Sequence, residues 1–346
     1  MPMVAINPKT GPANVHYTIS TPTCTSADKI DPQVPTVIFI HPVYIGQHLF
    51  QPQFSDPQLR RFNLIAVDTR LHGGTEGRVS SDWRREDAAD DLAALMARMS
   101  MGACITLQTA VSYPEKVLSL FLISPLPLQE PTEVKEGRQE IYDYWVQGWQ
   151  NDPHLDETAL LDAVIGGLQL GFNNTNTTIG KALNALYIPR AMVNFSPERF
   201  EEFHTATVKF FTERTAHTSA TLRRLQCPVK LIQCGGDIAY PLRYAQELLG
   251  RLVDAGVDAE LETVEDAPHF GSVTHPNVFN PLIHDFIMSH TTAPVPPPPE
   301  IVTSPFEADL VATGWSPRDG AEDVSSEEDD IRLNFRVTPR DRKASM

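Results

Sequence analysis

Apolar residues follow two rhythms along the chain. Continuous runs rich in β-branched and aliphatic side chains occupy Thr36–His41 (TVIFIH), Asn63–Asp68 (NLIAVD), Val117–Ile123 (VLSLFLI), Val229–Gln233 (VKLIQ) and Ala259–Val264 (AELETV). Between them, apolar positions recur near every 3.6 residues over Asp87–Met99, Met101–Tyr113, Tyr240–Asp254 and Asn280–Met288. Strands that are apolar throughout are buried on both faces, and helices between them make neighbouring strands parallel. The pattern predicts an α/β fold with a mostly parallel, doubly wound sheet.

Two stretches depart from the alternation. From about Pro125 to Pro228 no β run is visible, while Glu140–Trp149, Glu157–Gln169 and Pro197–Thr212 have helical spacing. A structureless loop of that length is abnormal in a compact domain, so the stretch predicts an inserted helical cap, split near its Asn-Asn-Thr-Asn-Thr-Thr turn. Past His290 the chain turns to TTAPVPPPPE and then to the acidic run Ser325–Asp330, a composition that cannot bury enough apolar area to offset chain entropy. The expected organisation is 1–126 first part of the core, 127–226 cap, 227–290 second part of the core and 291–346 a disordered Pro-rich, then acidic tail.

With 346 residues and 41% hydrophobic content, the chain can bury a full core and an insertion. Its formal net charge of -16 argues against nucleic acid or an anionic membrane as partner, because both are bound through an excess of Lys and Arg. Cys24, Cys104, Cys227 and Cys234 have neither metal-ligand spacing nor the density of a disulfide framework, and read as thiols. His72, His154, His204 and His217 are scattered, and no two histidines stand at i, i+4, so no metal and no cofactor is expected. No signal-type start and no run of about 18 apolar residues is present, which reads as a cytoplasmic protein without a membrane span. Triplets such as Asn194-Phe195-Ser196 read as ordinary polar loops without a secretory signal.

Motifs in fixed order carry the chemistry. His41-Pro42-Val43 follows the first core strand, and Asp68-Thr69-Arg70-Leu71-His72-Gly73-Gly74-Thr75 follows the next. Further on, Val229–Gln233 runs into Cys234-Gly235-Gly236-Asp237, and about thirty residues later stands Ala267-Pro268-His269-Phe270-Gly271. Ser100-Met101-Gly102-Ala103 precedes a helical pattern and Tyr113-Pro114-Glu115-Lys116-Val117. This order resembles the α/β-hydrolase superfamily, in particular its cap-bearing serine esterases and lactone hydrolases. The resemblance implies Ser100 as nucleophile, His269 as acid and base, Asp237 as the group that orients it, and the N–H groups of Val43 and Met101 as oxyanion donors. Two positions depart from the family pattern. Leu71 replaces a usual glycine, and Arg98-Met99 replaces the Gly-x that should precede the nucleophile.

The second departure is structural as well as chemical. In the family a loop and a buried central strand separate the preceding helix from the nucleophile, yet Leu92, Leu95, Met96 and Met99 already place that helix directly before Ser100. About a dozen residues are lacking by element length, so the central strand before Ser100 is expected to be missing. Asp87–Tyr113 is expected to run as one long helix. Alternatives are that Leu92–Met99 leaves the helix to fill the vacant strand, or that the chain folds poorly.

Two functions stay open. One is a serine hydrolase acting on an ester, lactone or related acyl bond, its substrate a small apolar molecule chosen by cap aromatics such as Tyr142, Tyr144, Trp145 and Trp149. The other is an inactive relative, a truncated isoform or binding module with an unsupported nucleophile. A dehalogenase or peroxidase on the same fold is less favoured, because Ser100 rather than an aspartate holds the nucleophile position.

Overall fold

The computed structural model describes residues 2–98, 107–150, 154–173 and 177–318. Among the described residues eight strands form two sheets: β1 (Met3–Ile6), β2 (Ala13–Ser20), β3 (Thr36–Ile40), β4 (Asn63–Val67), β5 (Glu76–Gly77), β6 (Leu120–Ile123), β7 (Val229–Cys234) and β8 (Ala259–Val264). The first sheet runs β1-β2-β4-β3 with β5 beside β2, and the second runs β6-β7-β8. Pairs β3–β4, β6–β7 and β7–β8 are parallel, while β2 is antiparallel to its neighbours.

Among the described residues no strand joins β3 to β6. The central strand expected to be missing before Ser100 concerns residues 99–106, outside the described residues. Among the described residues the two halves are joined by side chains packed on a shared helix. The helices before β6 are α1 (Gln51–Phe54), α2 (Arg85–Arg98) and α3 (Leu107–Ser112), and those between β6 and β7 are α4 (Thr132–Gly148), α5 (Glu157–Phe172), α6 (Thr178–Asn194), α7 (Phe200–His204), α8 (Phe210–Thr212) and α9 (Ser219–Leu222). After them come α10 (Leu242–Asp254), α11 (Gly271–Thr274), α12 (Pro276–His290) and α13 (Glu307–Val311). On α12, Ile283 packs in the same cluster as Phe39 of β3, and Phe279 packs with Ile232 of β7.

Period-two alternation explains the layers. On β4, Leu64 and Ala66 face the cluster containing Phe54, Phe62 and Leu183, whereas Ile65 and Val67 face Leu92, Leu95 and Met96 of α2. In the second half-sheet, Val229 and Leu231 meet Ala110 and Val111 of α3 and Leu248 and Leu252 of α10, opposite the Ile232 side. Helices therefore cover both faces, and the fold is an α/β sheet wound on both sides.

The single helix expected over Asp87–Tyr113 does not form. Tyr113 Oη donates to Asp90 Oδ1 at 2.6 Å. Twenty-three residues of continuous helix would hold these groups about 34 Å apart. The chain doubles back, with α2 and α3 packed together and residues 99–106 outside the described residues. Apolar spacing could not reveal the reversal, because both limbs keep a helical period.

The tail boundary also moves. Residues 291–318 form a strap laid across the core: Phe306 is wholly buried against Phe54, Arg61 Nε donates to Pro296 O at 2.7 Å, and Arg60 Nη1 donates to Thr303 O at 2.9 Å. Asp309 on α13 meets His48 Nε2 at 2.9 Å. Composition misled here because one aromatic anchor and two arginines suffice to hold a proline-rich segment. Residues 319–346 lie outside the described residues. No helix among the described residues is long and apolar enough to cross a membrane.

Candidate active site

Two loops at the ends of β7 and β8 create the site by docking on each other. Gly235 N donates to Val264 O at 2.8 Å and Gly236 N to Ala267 O at 2.9 Å. A Cβ on Gly236 would lie 2.7 Å from the carbonyl oxygen of Asp266, so the close approach requires glycine there. The approach brings Asp237 to His269. Asp237 Oδ2 meets His269 Nδ1 at 2.6 Å, while Oδ1 accepts from Ala239 N and Tyr240 N at 3.0 Å each. One carboxylate oxygen thus shapes the turn before α10 and the other holds the imidazole. The carboxylate is fully buried and the imidazole 12% exposed. With Nδ1 donating to the carboxylate, Nε2 is left as the acceptor.

The histidine loop is fastened from two further elements. Ser124, at the end of β6, donates from Oγ to His269 O at 2.9 Å and adopts φ 47, a left-handed backbone uncommon outside glycine. Phe270 N donates to Gly171 O in α5 at 2.9 Å. Beside Phe270 opens a cavity of about 80 Å³, walled by Val43 and Tyr44 on the loop after β3 and by Trp145, Phe172 and Phe195 from the segment between β6 and β7. Val43 and the loop bearing His269 therefore face one chamber. Ser100 and Met101 lie in 99–106, outside the described residues. Cys227 and Cys234 are buried and Cys24 is exposed.

A second His–Asp pair escaped the sequence reading. Asp68, fully buried, meets His16 Nδ1 at 2.6 Å and accepts from Gln47 N at 2.8 Å, Gln47 Nε2 at 3.1 Å and Gly74 N at 2.9 Å. Burial alone would raise its carboxyl pKa, but the His16 hydrogen bond, the fields of His41 and His16 and the Gly74 N–H hold it well below the usual carboxylate range. Leu71 takes φ 64 in the same turn, so a buried leucine adopts the conformation for which the family pattern has glycine. His72, which looked isolated in sequence, packs its ring 5.2 Å from that of His41. The motif Asp68–Thr75 flagged the turn, but nothing in the spacing of His16 or Gln47 announced their part in it.

His72 gives a pH prediction. Burial, with the field of His41, lowers its pKa to about 3, and its Nε2 has no hydrogen-bond partner among the described residues. An unfolded histidine titrates near ~6.5. From that pH downward the unfolded chain gains a proton that the folded chain refuses, so stability falls with pH until about 3. The loss expected from this group by pH 4.5 is ~2–3 kcal/mol. Thermal unfolding of wild type and His72→Gln at pH 7 and pH 4.5 checks it, and an equal pH dependence in both proteins would count against it.

Residues 35–276 match the alpha/beta hydrolase fold family, and the chain belongs to it. A similar protein is the pimeloyl-(acyl-carrier protein) methyl ester esterase of Aromatoleum aromaticum, 30% identical over 230 residues, which are 62% of this chain and 84% of that protein. Among solved structures, a thermophilic esterase from Thermogutta terrifontis superposes with TM-score 0.60 at 16% identity, covering 84% of this chain and 100% of that one. The enol-lactonase of Burkholderia xenovorans superposes with TM-score 0.58 at 18% identity, covering 83% of this chain and 100% of that one. Both structural likenesses establish the fold.

Proposed function

We propose that this chain hydrolyses the acyl bond of small esters or lactones, with His269 as general base and acid, Asp237 as its orienting carboxylate and Ser100 as nucleophile. The observation that carries this reading is the 2.6 Å Asp237–His269 contact in a loop that borders an apolar cavity. In the reaction Ser100 Oγ attacks the acyl carbon while His269 Nε2 takes its proton. The N–H groups of Val43 and Met101 receive the oxyanion, and the protonated imidazole returns the proton to the departing alkoxide. Water then repeats the sequence on the acyl-serine. No step calls for a metal or cofactor.

The inserted helices act as a cap over the acyl side. A cavity of about 80 Å³ lined by Val43, Trp145, Phe172, Phe195 and Phe270 suits a short, uncharged acyl chain. Ester and lactone names among the similar proteins support the same bond class. Turnover of nitrophenyl acetate, butyrate and octanoate, with γ- and δ-lactones alongside, tests the reading. Short esters should be preferred, and Ser100→Ala should abolish both turnover and labelling by a fluorophosphonate.

That no strand joins β3 to β6 among the described residues favours a second reading, a non-catalytic relative that keeps the pocket without a supported nucleophile. A folded wild-type protein that neither turns over these substrates nor takes up the fluorophosphonate would select it.

A further inference from the structure

A buried ionic cluster that the proposed chemistry does not use ties the inserted helices to the acid loop. Glu130 Oε1 accepts from Arg138 Nε of α4 at 2.7 Å and from Tyr240 Oη at 2.7 Å, and Arg138 Nη2 donates to the same phenol oxygen at 3.0 Å. Glu130 Oε2 faces Arg214 Nη1 at 2.8 Å, and the Arg138 guanidinium lies 3.8 Å over the Phe211 ring. The side chains of Glu130, Arg138 and Arg214 are 0%, 2% and 8% exposed.

Stability alone is a poor reason for such a cluster. Desolvating each ion costs several kcal/mol, and apolar side chains of similar volume often serve as well. Its attachments give a better reason. Tyr240 follows Asp237 by three residues, and its N–H is one of the two that fix Asp237 Oδ1. Its ring lies 5.2 Å from that of His269, so the residue touches both members of the pair. Tyr44 adds a third attachment. Its buried hydroxyl lies within the field of Arg138, and it stands next to Val43 on the cavity wall.

We infer that Tyr240 is a positioning residue, locked by Glu130 and Arg138 so that its N–H fixes the Asp237 carboxylate and its ring walls the His269 imidazole. This rests on Asp237 and His269 being the acid and base of the proposed reaction. The inserted layer then has a role besides covering substrate: through Arg138 it sets the geometry of the proton-transfer pair. Burial, with Glu130 beside it, pushes the Tyr240 phenol well above its ordinary range, and Glu130 and Tyr240 keep Arg138 charged despite its burial. Against its burial, Arg138 and Arg214 hold the Glu130 carboxyl below its usual range, so the lock keeps its charges around neutral pH.

Tyr240→Phe tests this with little disturbance, because the ring remains and Arg138 stays bonded directly to Glu130. The primary measurement is the far-downfield proton NMR resonance of His269 Nδ1–H, assigned by its absence in His269→Gln. In Tyr240→Phe the resonance should broaden or vanish through exchange with water, at a Tm within a few degrees of wild type. kcat on the best ester should fall about tenfold at unchanged KM, the signature of misplacement by a fraction of an ångström. Glu130→Gln, which keeps the acceptor but removes its charge, should act in the same direction and carries the test if Tyr240→Phe does not fold. An undisturbed resonance and kcat in a folded variant would overturn the inference, as would a wild-type protein without the resonance. If wild type shows the resonance and loses it in Tyr240→Phe, yet hydrolyses nothing, the catalytic reading fails and the positioning inference stands.

Discussion

His269→Ala is expected to remove ester turnover, with a fall in kcat of about 10⁴-fold or more, while the protein stays folded. Among the described residues its imidazole makes one side-chain hydrogen bond, to Asp237, and its main-chain oxygen, which anchors the loop to Ser124, survives the substitution. Asp237→Asn should be nearly as severe, by about 10⁴-fold, for a different reason. An amide still accepts from Ala239 N and Tyr240 N and preserves the turn, but presents N–H rather than a carboxylate oxygen to His269 Nδ1. The imidazole would then be held in the wrong tautomer, with Nε2 protonated and unable to accept from Ser100. Turnover of the best nitrophenyl ester, followed with circular dichroism and Tm on the same samples, checks both. Retention of a tenth or more of wild-type turnover in folded His269→Ala would remove His269 from the mechanism.

The Asp237–His269 pairing was legible because each residue stands just past a strand that the apolar runs announce. Val229–Gln233 and Ala259–Val264 are matched by β7 and β8, and the glycines between fix how their loops dock. The expected loss of a central strand before Ser100 falls on residues 99–106, outside the described residues. Long-range physics was less visible. The reversal between α2 and α3 depends on Tyr113 finding Asp90, and the strap over 291–318 depends on Phe306 finding a hole beside Phe54. Neither has a periodicity. The Arg138–Glu130–Tyr240 cluster is likewise assembled from three distant segments, none with a motif of its own.

The buried Asp68 gives the largest expected loss of stability. In Asp68→Ala the N–H groups of Gln47 and Gly74, with the ring nitrogen of His16, lose their common acceptor in a place closed to water. Leaving several buried donors unpaired should cost about 3–5 kcal/mol, measurable by urea unfolding at pH 7. The effect should have its own pH window. A carboxyl held below its unfolded value of ~3.9 contributes fully above that pH and loses the contribution as pH falls toward its lower folded value. The gap between wild type and Asp68→Ala should therefore stay constant from pH 8 to pH 5 and narrow only below about 4, whereas the His72 penalty builds from ~6.5 downward. Activity should suffer too. Asp68 accepts from Gln47 N and crowds Gly46, where a Cβ would sit 2.6 Å from Oδ1, so it fixes the course of the loop that carries Val43 and Tyr44 to the cavity wall. A variant less than 1 kcal/mol below wild type, with full turnover, would show that this loop holds its course without Asp68.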